Sequence, residues 1–531
     1  MMKVLLSLLF LVAAALPLPL RAEEAAAGDN TLSVSLQQCI LLALEQNLDI
    51  RVERLKPAIS AAQFVKEKAA FDPWATAEFA TDQSLTPQAS QLSGADVLDQ
   101  DSIIGTAGIK TRLVTGGNLS LGVNSRRFAT NSGFQRLSPQ YTSDFSLTLV
   151  QPLLKDFGIG INQTRVLIAQ NNLQISRHQF REKVTDTVSQ VQTLYWDFVF
   201  ARQDLDAKRH SLELARRLQD KTQALVQEGR LPPFASLQAE STAAQREVDV
   251  RLAENVLSDV HNRLKEILHL SNNRSLTLIP TDTPSSPEPT PTVEESIERA
   301  LAHNPVLLEA RLDVDSKKIS ERLARNQRFP DVSFVGSVGL NGLAGRANKD
   351  FAPFPVELGL PTVGLTRTGG LGNALDGLFS GGFPNWHLGL LVDIPLNRRA
   401  VQSDYLQAKL EAKKAAFSVQ QLEEHIAMEV ERFIRQLTAS STLQESARLA
   451  RVLAEKTSAS QEERLALGLA TIQDVLEAQE DLAIAQGHEL KAIIDSQKVL
   501  VGLDQLTGMT LERHHIEVKE DGLEDGLKTS S

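Results

Sequence analysis

Few residues of this 531-residue chain have the types and spacing that catalysis requires. The sequence contains no phosphate-binding loop, no nucleophile elbow and no zinc-type His-Glu-x-x-His pattern. His514 and His515 could bind a metal, but adjacent histidines in a polar tail are more simply solvated side chains. We therefore expect a protein that is not an enzyme and that has no cofactor and no metal site.

Charged residues stand out beside two glycines that interrupt long helical stretches. Arg230 follows Gly229, and Arg464 precedes Gly468, so both arginines are candidates for ion pairs or for contacts with a partner. Exposed arginines are, however, more often simply solvated. Pro232-Pro233 would make the first break stiffer than the second.

Two carboxylates lie just beyond the second break. Asp474 and Glu477 follow Thr471 where the helical pattern restarts. The ordinary interpretation is that Asp474 caps or charges the N-terminus of a returning helix.

These residues lie at the end of a predicted helical hairpin. From Arg398 to Leu467 there is no Gly and no Pro, and apolar residues recur at spacings of three and four. At about 1.5 Å per residue, such a helix would be on the order of 100 Å long. Gly468 then breaks the helix, and a second helix returns to Gly508. The pattern predicts a rod rather than the core helix of a compact domain.

The same hairpin is written earlier in the chain, over Asn162 to Gln227 and Phe234 to His269. One offset of 239 residues pairs Gly229 with Gly468 and Leu264 with Leu503. Each hairpin also has a related lead-in, because Ala43-Leu44 to Asn47 matches Ala300-Leu301 to Asn304. We interpret the chain as a tandem duplication with about 250 residues per copy.

The N-terminus and the composition restrict where the protein works. Residues 1–22 have a basic start, an apolar stretch and a small final residue, Ala22, which predicts a cleaved secretory signal rather than an uncleaved anchor. The net charge of −11 argues against a nucleic-acid partner. The single cysteine, Cys39, cannot form a disulfide within the chain and is expected to be a small core residue.

Between lead-in and hairpin, each copy changes to a period of two, which predicts β-strands. The apolar positions of the clearest segments are Leu119, Leu121 and Val123; Phe145, Leu147 and Leu149; Val332, Phe334, Val338 and Leu340; and Leu388, Leu390 and Val392. Segments of about 9 to 11 residues with one apolar face have the dimensions of transmembrane strands, which must close into a barrel. Trp74 and Trp386 at their ends favour a membrane barrel over a soluble sandwich.

Three polar stretches are expected to be long extracellular loops: Gln83 to Ser102, Ala129 to Ser143 and Asn341 to Asn385. Copy two offers two strands, whereas copy one offers up to four, because Thr115 to Asn118 resembles a tight turn.

In this order and spacing, the elements and motifs resemble those of the TolC family of outer-membrane channel proteins. The residues that carry the resemblance are Ala43-Leu44 to Asn47, Ala300-Leu301 to Asn304-Pro305, the strand exits Val150 to Leu154 and Asp393 to Leu396, and the tip Gly468 to Gln479. The resemblance extends over essentially the whole mature chain.

The resemblance implies a mixed α and β membrane protein, in which an outer-membrane β-barrel is continuous with a long periplasmic α-helical barrel. It implies a homotrimer, built from an internal tandem repeat, that contacts outer-membrane lipid, a periplasmic adaptor and an inner-membrane pump. The function implied is a conduit for efflux or for type I secretion.

The domains expected on this basis follow the two copies. They are a signal peptide (1–22), a lead-in helix (23–73), barrel strands and loops (74–152), hairpin 1 (153–271), a linker (272–291), a second lead-in helix (292–330), further barrel strands (331–396), hairpin 2 (397–508) and a polar tail (509–531).

The resemblance also assigns roles at the tips. Family members carry an acidic pair around the narrow periplasmic mouth, and the matching residues are Asp474 and Glu477. Carboxylates from three copies near one axis would favour cations. The adaptor would contact Gly229, Arg230, Pro232, Pro233, Arg464, Gly468 and Thr471. The positions of the family's Tyr, Arg and Asp lock hold Leu465, Ala470 and Ala235, so closure here must use something else.

Several alternatives stay open. A non-transporting periplasmic coiled-coil scaffold would place the alternating segments in a soluble β region, and an exopolymer or adhesin exporter would lack the pump. Lipid exposure predicts that Leu388, Leu390, Val392 and Ile394 have no protein covering them. Four strands per chain would give 12 in the trimer, the family number, and six would give 18. We expect 12, with the additional pair of copy one outside or above the barrel.

Overall fold

The computed structural model describes residues 31–89, 94–270, 275–284, 291–351 and 367–518. The predicted signal peptide and the tail beyond residue 518 lie outside the described residues. None of the described helices carries an apolar stretch long enough to cross a membrane.

Four helices form two long hairpins. In the first hairpin, α5 (Thr164–Gln227) is followed by α6 (Pro233–Ile267), and in the second, α10 (Arg399–Ala466) is followed by α11 (Ile472–Thr507). The outgoing helices contain 64 and 68 residues and the returning helices only 35 and 36. Each hairpin is therefore a long helix with a partner of about half its length.

Shorter helices precede each hairpin and extend it. They are α1 (Leu36–Gln46), α2 (Leu48–Glu53) and α3 (Leu55–Lys68) in the first half, and α7 (Val293–His303) and α8 (Pro305–Asn326) in the second. Helix α3 packs along α5, and α8 packs against both α5 and α10. The lead-in helices therefore lie beside the parts of the long helices that the short returning helices do not reach.

One asparagine in each lead-in explains the motif that repeats in the sequence. The side-chain oxygen of Asn47 accepts from the backbone N–H of Ile50, and that of Asn304 accepts from Leu307, each at 3.2 Å. These bonds cap the following helix. The amide nitrogens donate to the carbonyls of Ile267 and Leu506, each at 3.1 Å. Asparagine at these positions therefore both starts a helix and ties it to the end of a hairpin.

The alternating segments form one six-stranded antiparallel sheet. Its strands are β2 (Trp74–Pro87), β3 (Val97–Arg112), β4 (Asn118–Thr130), β5 (Leu137–Pro152), β7 (Asp331–Ala347) and β8 (Pro384–Asp393). They are ordered β2-β3-β4-β5-β7-β8. Strands β3 and β4 are the additional pair that was expected outside or above the barrel, and they lie inside this sheet, between β2 and β5.

The strands also extend into stretches that were expected to be loops. Most of Gln83 to Ser102 and of Ala129 to Ser143 belongs to strands. The pairing of β2 with β3, of β3 with β4 and of β4 with β5 continues through the polar residues of these stretches. The third stretch contains the end of β7, a short helix α9 (Leu371–Phe379) and residues 352–366, which lie outside the described part.

A small two-stranded sheet lies at the end of the lead-in helices that is opposite to the six-stranded sheet. Strand β1 (Thr31–Val34) pairs in parallel with β6 (Thr277–Pro280), which lies within the stretch expected to be a linker. Asp282 in the same stretch accepts hydrogen bonds from the backbone of Leu36 (2.7 Å) and from the hydroxyl of Tyr195 (2.9 Å). This part of the linker is therefore an ordered component of the core.

The largest hydrophobic core surrounds this small sheet. Tyr195 and Phe198 of α5 and Leu264 of α6 are buried there together with Cys39. The prediction that Cys39 is a core residue is confirmed, and burial raises the pKa of its thiol to about 12. A second core joins the second lead-in to the middle of α10 and to the C-terminal end of α11, through residues that include Leu307, Val430 and Leu503.

Two further short helices flank the long ones. Helix α4 (Ile159–Asn162) precedes α5, and α12 (Thr510–Arg513) follows α11. His514 and His515 come directly after α12, and no metal-binding group of His, Cys, Asp or Glu occurs among the described residues.

Candidate functional site

The candidate site is the pair of tips where the hairpins turn. At the first tip, α5 ends at Gln227, Gly229 takes a left-handed backbone conformation (φ +71°), and α6 starts at Pro233. The backbone N–H groups of Arg230 and Leu231 both donate to the carbonyl of Leu225 (2.9 and 3.2 Å). These bonds close the C-terminus of α5, and Pro233 at the first position of α6 suits a helix start.

The second tip has the same backbone design with a different cap. Gly468 has φ +72°, and Thr471 is the N-cap of α11. A capping box links Thr471 and Asp474: Asp474 Oδ2 accepts from the backbone N–H and from the hydroxyl of Thr471, each at 2.7 Å. The backbone N–H of Asp474 donates to Thr471 Oγ1 at 3.2 Å. The hydrogen bonds from Thr471 lower the pKa of Asp474, so the carboxylate is ionised at neutral pH.

The two predicted constriction carboxylates lie on one face of α11. Asp474 and Glu477 are both exposed and three residues apart, while Val475 and Leu476 between them are buried. The capping role of Asp474 is therefore present in the structure, and its charge still faces outward. The role of Asp474 and Glu477 at a pore mouth stays a prediction.

The two predicted arginines make local contacts. Arg230 lies 3.6 Å from Glu228, and both side chains are largely exposed. Arg464 donates to the carbonyl of Leu469 and to Gln461, each at 3.4 Å. Arg464 thus supports the turn after α10. The exposed ion pair between Arg230 and Glu228 contributes little stability.

An apolar cluster joins the two tips, and no local sequence pattern indicates it. Its buried members are Leu218, Ala235, Ile472, Val475 and Leu476, with Leu231 and Leu465 packed against them. They come from α5, α6, α10, α11 and the first tip, which no local pattern would bring together. Two of the three positions of the family lock, Leu465 and Ala235, belong to this cluster.

Polar contacts reinforce the same junction. Gln238 of α6 donates to Gln473 of α11. Arg246 of α6 lies 3.6 Å from Glu480 of α11, and its side chain is largely buried. The returning helices of the two hairpins are therefore held together by both apolar and polar contacts.

Apolar side chains also project from the tips into solvent. Phe234 and Leu237 at the start of α6 are 67% and 68% exposed, and Leu467 and Leu469 beside Gly468 are 68% and 66% exposed. Exposed apolar patches of this kind mark contact surfaces. Their signal in the sequence is two leucines flanking a turn glycine, where polar residues are usual.

The sheet has one apolar and one polar face. On one face, cross-strand partners of β7 and β8 are apolar pairs, namely Val332 with Val392, Phe334 with Leu390, and Val338 with Trp386. On the other face, Ser337 pairs with His387 and Gly339 with Asn385. Leu388, Leu390, Val392 and Ile394 are 52% to 67% exposed. No part of the chain described here buries these residues.

Comparison with known proteins agrees with this architecture. Residues 296–509 match the family described as outer membrane efflux protein. Among curated proteins, none matches the chain.

Several solved structures share the fold. The outer-membrane channel OprN superposes with a TM-score of 0.63 at 15% identity, covering 89% of this chain and 89% of OprN. VceC of Vibrio cholerae gives 0.61 at 15% identity, covering 89% of this chain and 96% of VceC. The CmeC outer membrane channel of Campylobacter jejuni gives 0.61 at 15% identity, covering 93% and 88%. At these identities the matches establish the fold.

The expected outer-membrane location and the absence of enzymatic activity agree with the family description, which is of a transport protein. Residues 296–509 thus match the outer membrane efflux protein family, and the resemblance to the TolC family found in the sequence is confirmed.

Proposed function

We propose that three copies of this chain form an efflux channel that crosses the outer membrane and extends through the periplasm. The observation that carries the proposal is the two-faced sheet, with its exposed apolar face and its polar face. Within the described residues, β2 and β8 each have only one neighbouring strand. Strand edges cannot face lipid, so β2 of one copy pairs with β8 of the next and closes a barrel.

Exposed apolar side chains on the helices support the same assembly. Val248, Leu252 and Val256 follow one another at intervals of four residues along α6, and each is more than half exposed. Leu449 and Leu453 on α10 have the same spacing and similar exposure. Such stripes need lateral partners, which the helices of neighbouring copies provide.

The parts of the chain have distinct places in this assembly. Residues 74–152 and 331–396 form the membrane barrel, and residues 153–271 and 397–508 form the periplasmic tunnel. Asp474 and Glu477 line the narrow end, where carboxylates from three copies favour cations. The apolar cluster at the tips, rather than an ion-paired lock, holds this end closed.

A periplasmic adaptor docks on the tips and links the channel to an inner-membrane pump. The exposed residues Phe234, Leu237, Leu467 and Leu469 form the docking surface, together with the turn residues Arg230 and Pro232. The family description favours efflux over type I secretion.

Conductance of the purified protein in a planar bilayer tests the proposal. We expect discrete cation-selective steps, with reduced selectivity in the Asp474→Ala/Glu477→Ala double variant. Steps with unchanged selectivity would remove these carboxylates from the pore mouth. A protein that stays water-soluble without detergent and never conducts, even with an adaptor supplied, would support the periplasmic scaffold instead.

A further inference from the structure

The first half of the chain contains two more sheet strands than the second half. In the second half, β7 follows the lead-in helix and β8 leads into α10, with no sheet strand between them among the described residues. In the first half, β2 follows the lead-in and β5 leads into α5, and the hairpin of β3 and β4 lies between them.

We propose that the β3–β4 hairpin is part of the barrel wall, so that three copies close a barrel of eighteen strands. This inference rests on the proposed trimeric channel and specifies the width and charge of its outer end.

Continuous pairing supports a place in the wall. Strand β3 pairs with β2 from Trp74–Lys110 to Pro87–Val97, over the full length of β2. Strand β4 pairs with β5 from Asn118–Val150 to Phe128–Gln140. A ribbon attached outside a barrel would leave β2 and β5 paired with each other, whereas here the hairpin separates them.

The apolar face of the sheet continues across the hairpin. Ile109 pairs with Leu121 and Ala107 with Val123, and these residues are in register with Leu147 and Phe145 of β5. The alternate positions of the hairpin carry Thr106, Lys110, Ser120 and Asn124. Strands with an apolar outer face and a polar inner face are those of a lipid-exposed barrel wall.

The periplasmic turn of the hairpin is bonded to the point where β5 passes into the helices. The carbonyl of Thr115 accepts from the backbone N–H of Gly158 (3.0 Å) and from the side chain of Gln151 (3.3 Å). Arg112 donates to Asn162 at 3.0 Å. The hairpin therefore ends on the rim of the helical part and is not a free extracellular appendage.

The hairpin widens the barrel without adding to the tunnel, because neither of its strands continues into a helix. With strands about 4.8 Å apart and tilted by about 40°, twelve strands give a backbone diameter of about 24 Å and eighteen give about 36 Å. The outer end of the channel is thus wider than four strands per chain would allow.

The hairpin also changes the charge of the inner face. The other four strands place five carboxylates and no Lys or Arg on that face: Glu78, Asp82, Asp144, Asp331 and Asp393. The hairpin adds three basic residues and no acidic one: Lys110, Arg112 and Arg126. The outer end is consequently less selective for cations than the tips.

A deletion variant tests the inference. The two outer loops already touch, since the backbone N–H of Gly133 donates to the carbonyl of Gly94 at 3.2 Å. Removing residues 95–132 joins these glycines directly. Strands β2 and β5 then remain antiparallel, because two strands have been removed. Polyethylene glycols of graded size, added to either side of the bilayer, measure the width of each end.

From the extracellular side, we expect the size limit to fall by about a third in the deletion variant, in proportion to the strand number. The limit from the periplasmic side should not change, because the tips are intact. Lys110→Ser/Arg126→Ser serves as the matched control: it should raise cation selectivity and keep the wild-type size limit.

Other outcomes separate the two proposals. An unchanged extracellular limit in a conducting deletion variant would overturn the eighteen-stranded barrel and leave the channel intact. No conductance from wild type would overturn the channel itself. If the deletion variant does not fold, electron cryo-microscopy of the wild-type trimer decides, because a count of twelve wall strands would refute the inference and eighteen would establish it.

Discussion

At the scale of single residues, Asp474 caps α11 and, in the proposed channel, also supplies charge at the pore mouth, and different substitutions separate these two roles. Asp474→Asn keeps a side-chain oxygen for the Thr471 N–H and removes the charge, so we expect lower cation selectivity with little loss of stability. Thr471→Ala keeps the charge and removes the cap, at about 1 kcal/mol. Bilayer selectivity together with thermal unfolding of both variants measures the two effects.

Glu477→Gln is the control for this comparison, because Glu477 lies on the same exposed face and outside the capping box. Its selectivity should fall as in Asp474→Asn. If Thr471→Ala changed selectivity as much as Asp474→Asn did, the carboxylate would act through the helix start and not through its charge.

Glu309 of α8 gives the protein a pH-dependent stability. Burial, helped by the nearby carboxylates Glu182 and Glu53, raises the pKa of Glu309 from 4.5 to about 7. The folded state therefore holds a proton that the unfolded chain releases. The stability this provides is complete below about pH 4.5 and is lost as the pH rises to about 7.

Glu309→Gln cannot ionise, so we expect it to be more stable than wild type at pH 8 and similar at pH 4.5. The difference should be on the order of 1 kcal/mol, because Glu309 is only half-buried and water screens it. Unfolding midpoints at the two pH values measure it. Glu298→Gln, at an exposed position of α7, should have the same unfolding midpoint as wild type at both pH values. If the midpoint of Glu309→Gln changed with pH as that of wild type does, the prediction would be refuted.

Residue patterns in the sequence identified positions better than roles. The repeat located Asn47 and Asn304, but only the fold shows that each also bonds to the end of a hairpin. Thr471 and Asp474 were found as a tip signal, and their mutual capping follows from local spacing. The apolar cluster around Val475 could not be predicted, because its members come from five separate parts of the chain.

At the scale of elements, the turn between β3 and β4 depends on one glycine. Gly116 has φ +98°, and a Cβ there would lie 2.2 Å from the carbonyl oxygen of Asp156. Gly158 in the same junction has φ +104° and open space around it. Gly158→Ala should cost only backbone strain, about 1 to 3 kcal/mol, and Gly116→Ala roughly 1 to 3 kcal/mol more through overpacking.

The temperature at which the assembled form of each variant is lost, followed by gel electrophoresis after heating, measures this difference. Equal losses in the two variants would mean that the turn moves away from the junction without cost. The hydrogen bond from Gly158 to Thr115 would then have no part in holding the hairpin.

The apolar cluster at the tips is expected to act as the closing element. Leu476 is 7% exposed within it, and truncation of a buried leucine typically costs about 2 to 5 kcal/mol. Leu476→Ala should therefore raise the fraction of time that the channel conducts without an adaptor. Leu469→Ala, at a 66% exposed position of the same tip, is the matched control and should not change it.

The opposite pattern would contradict this assignment. If Leu469→Ala opened the channel and Leu476→Ala did not, the exposed patch would be the closing contact between copies. Single-channel open probability in the absence of adaptor distinguishes the two cases.

The helices were more predictable than the strands. Uninterrupted spacing of three and four defines α5 and α10, since a long amphipathic helix needs no distant partner to be recognised. The ends of β2 to β5 next to the outer loops were expected to be loops themselves, because Ser, Asn, Gln and Thr dominate there. Their pairing comes from neighbouring strands, which a single segment does not reveal.

At the scale of the whole molecule, the chain contains parts that a single copy leaves incomplete. The core around Tyr195 is fully formed within one chain, whereas the sheet has two open edges and an exposed apolar face. The helical stripes at Val248 and Leu449 are exposed in the same way. The sequence could predict the strands but not their order, because the position of β3 and β4 depends on contacts across the sheet.

Adjacent residues of β8 provide the sharpest test of the membrane barrel. Leu388 lies on the apolar face and is 63% exposed, and His387 pairs with Ser337 on the polar face. Arginine facing lipid near the middle of the membrane costs about 2 to 4 kcal/mol, whereas arginine facing a water-filled interior is tolerated. We therefore expect Leu388→Arg to reduce the amount of trimer in outer-membrane fractions, and His387→Arg to assemble normally and lower cation selectivity. If both variants assembled equally well, the apolar face would not contact lipid, and the sheet would belong to a soluble region between copies.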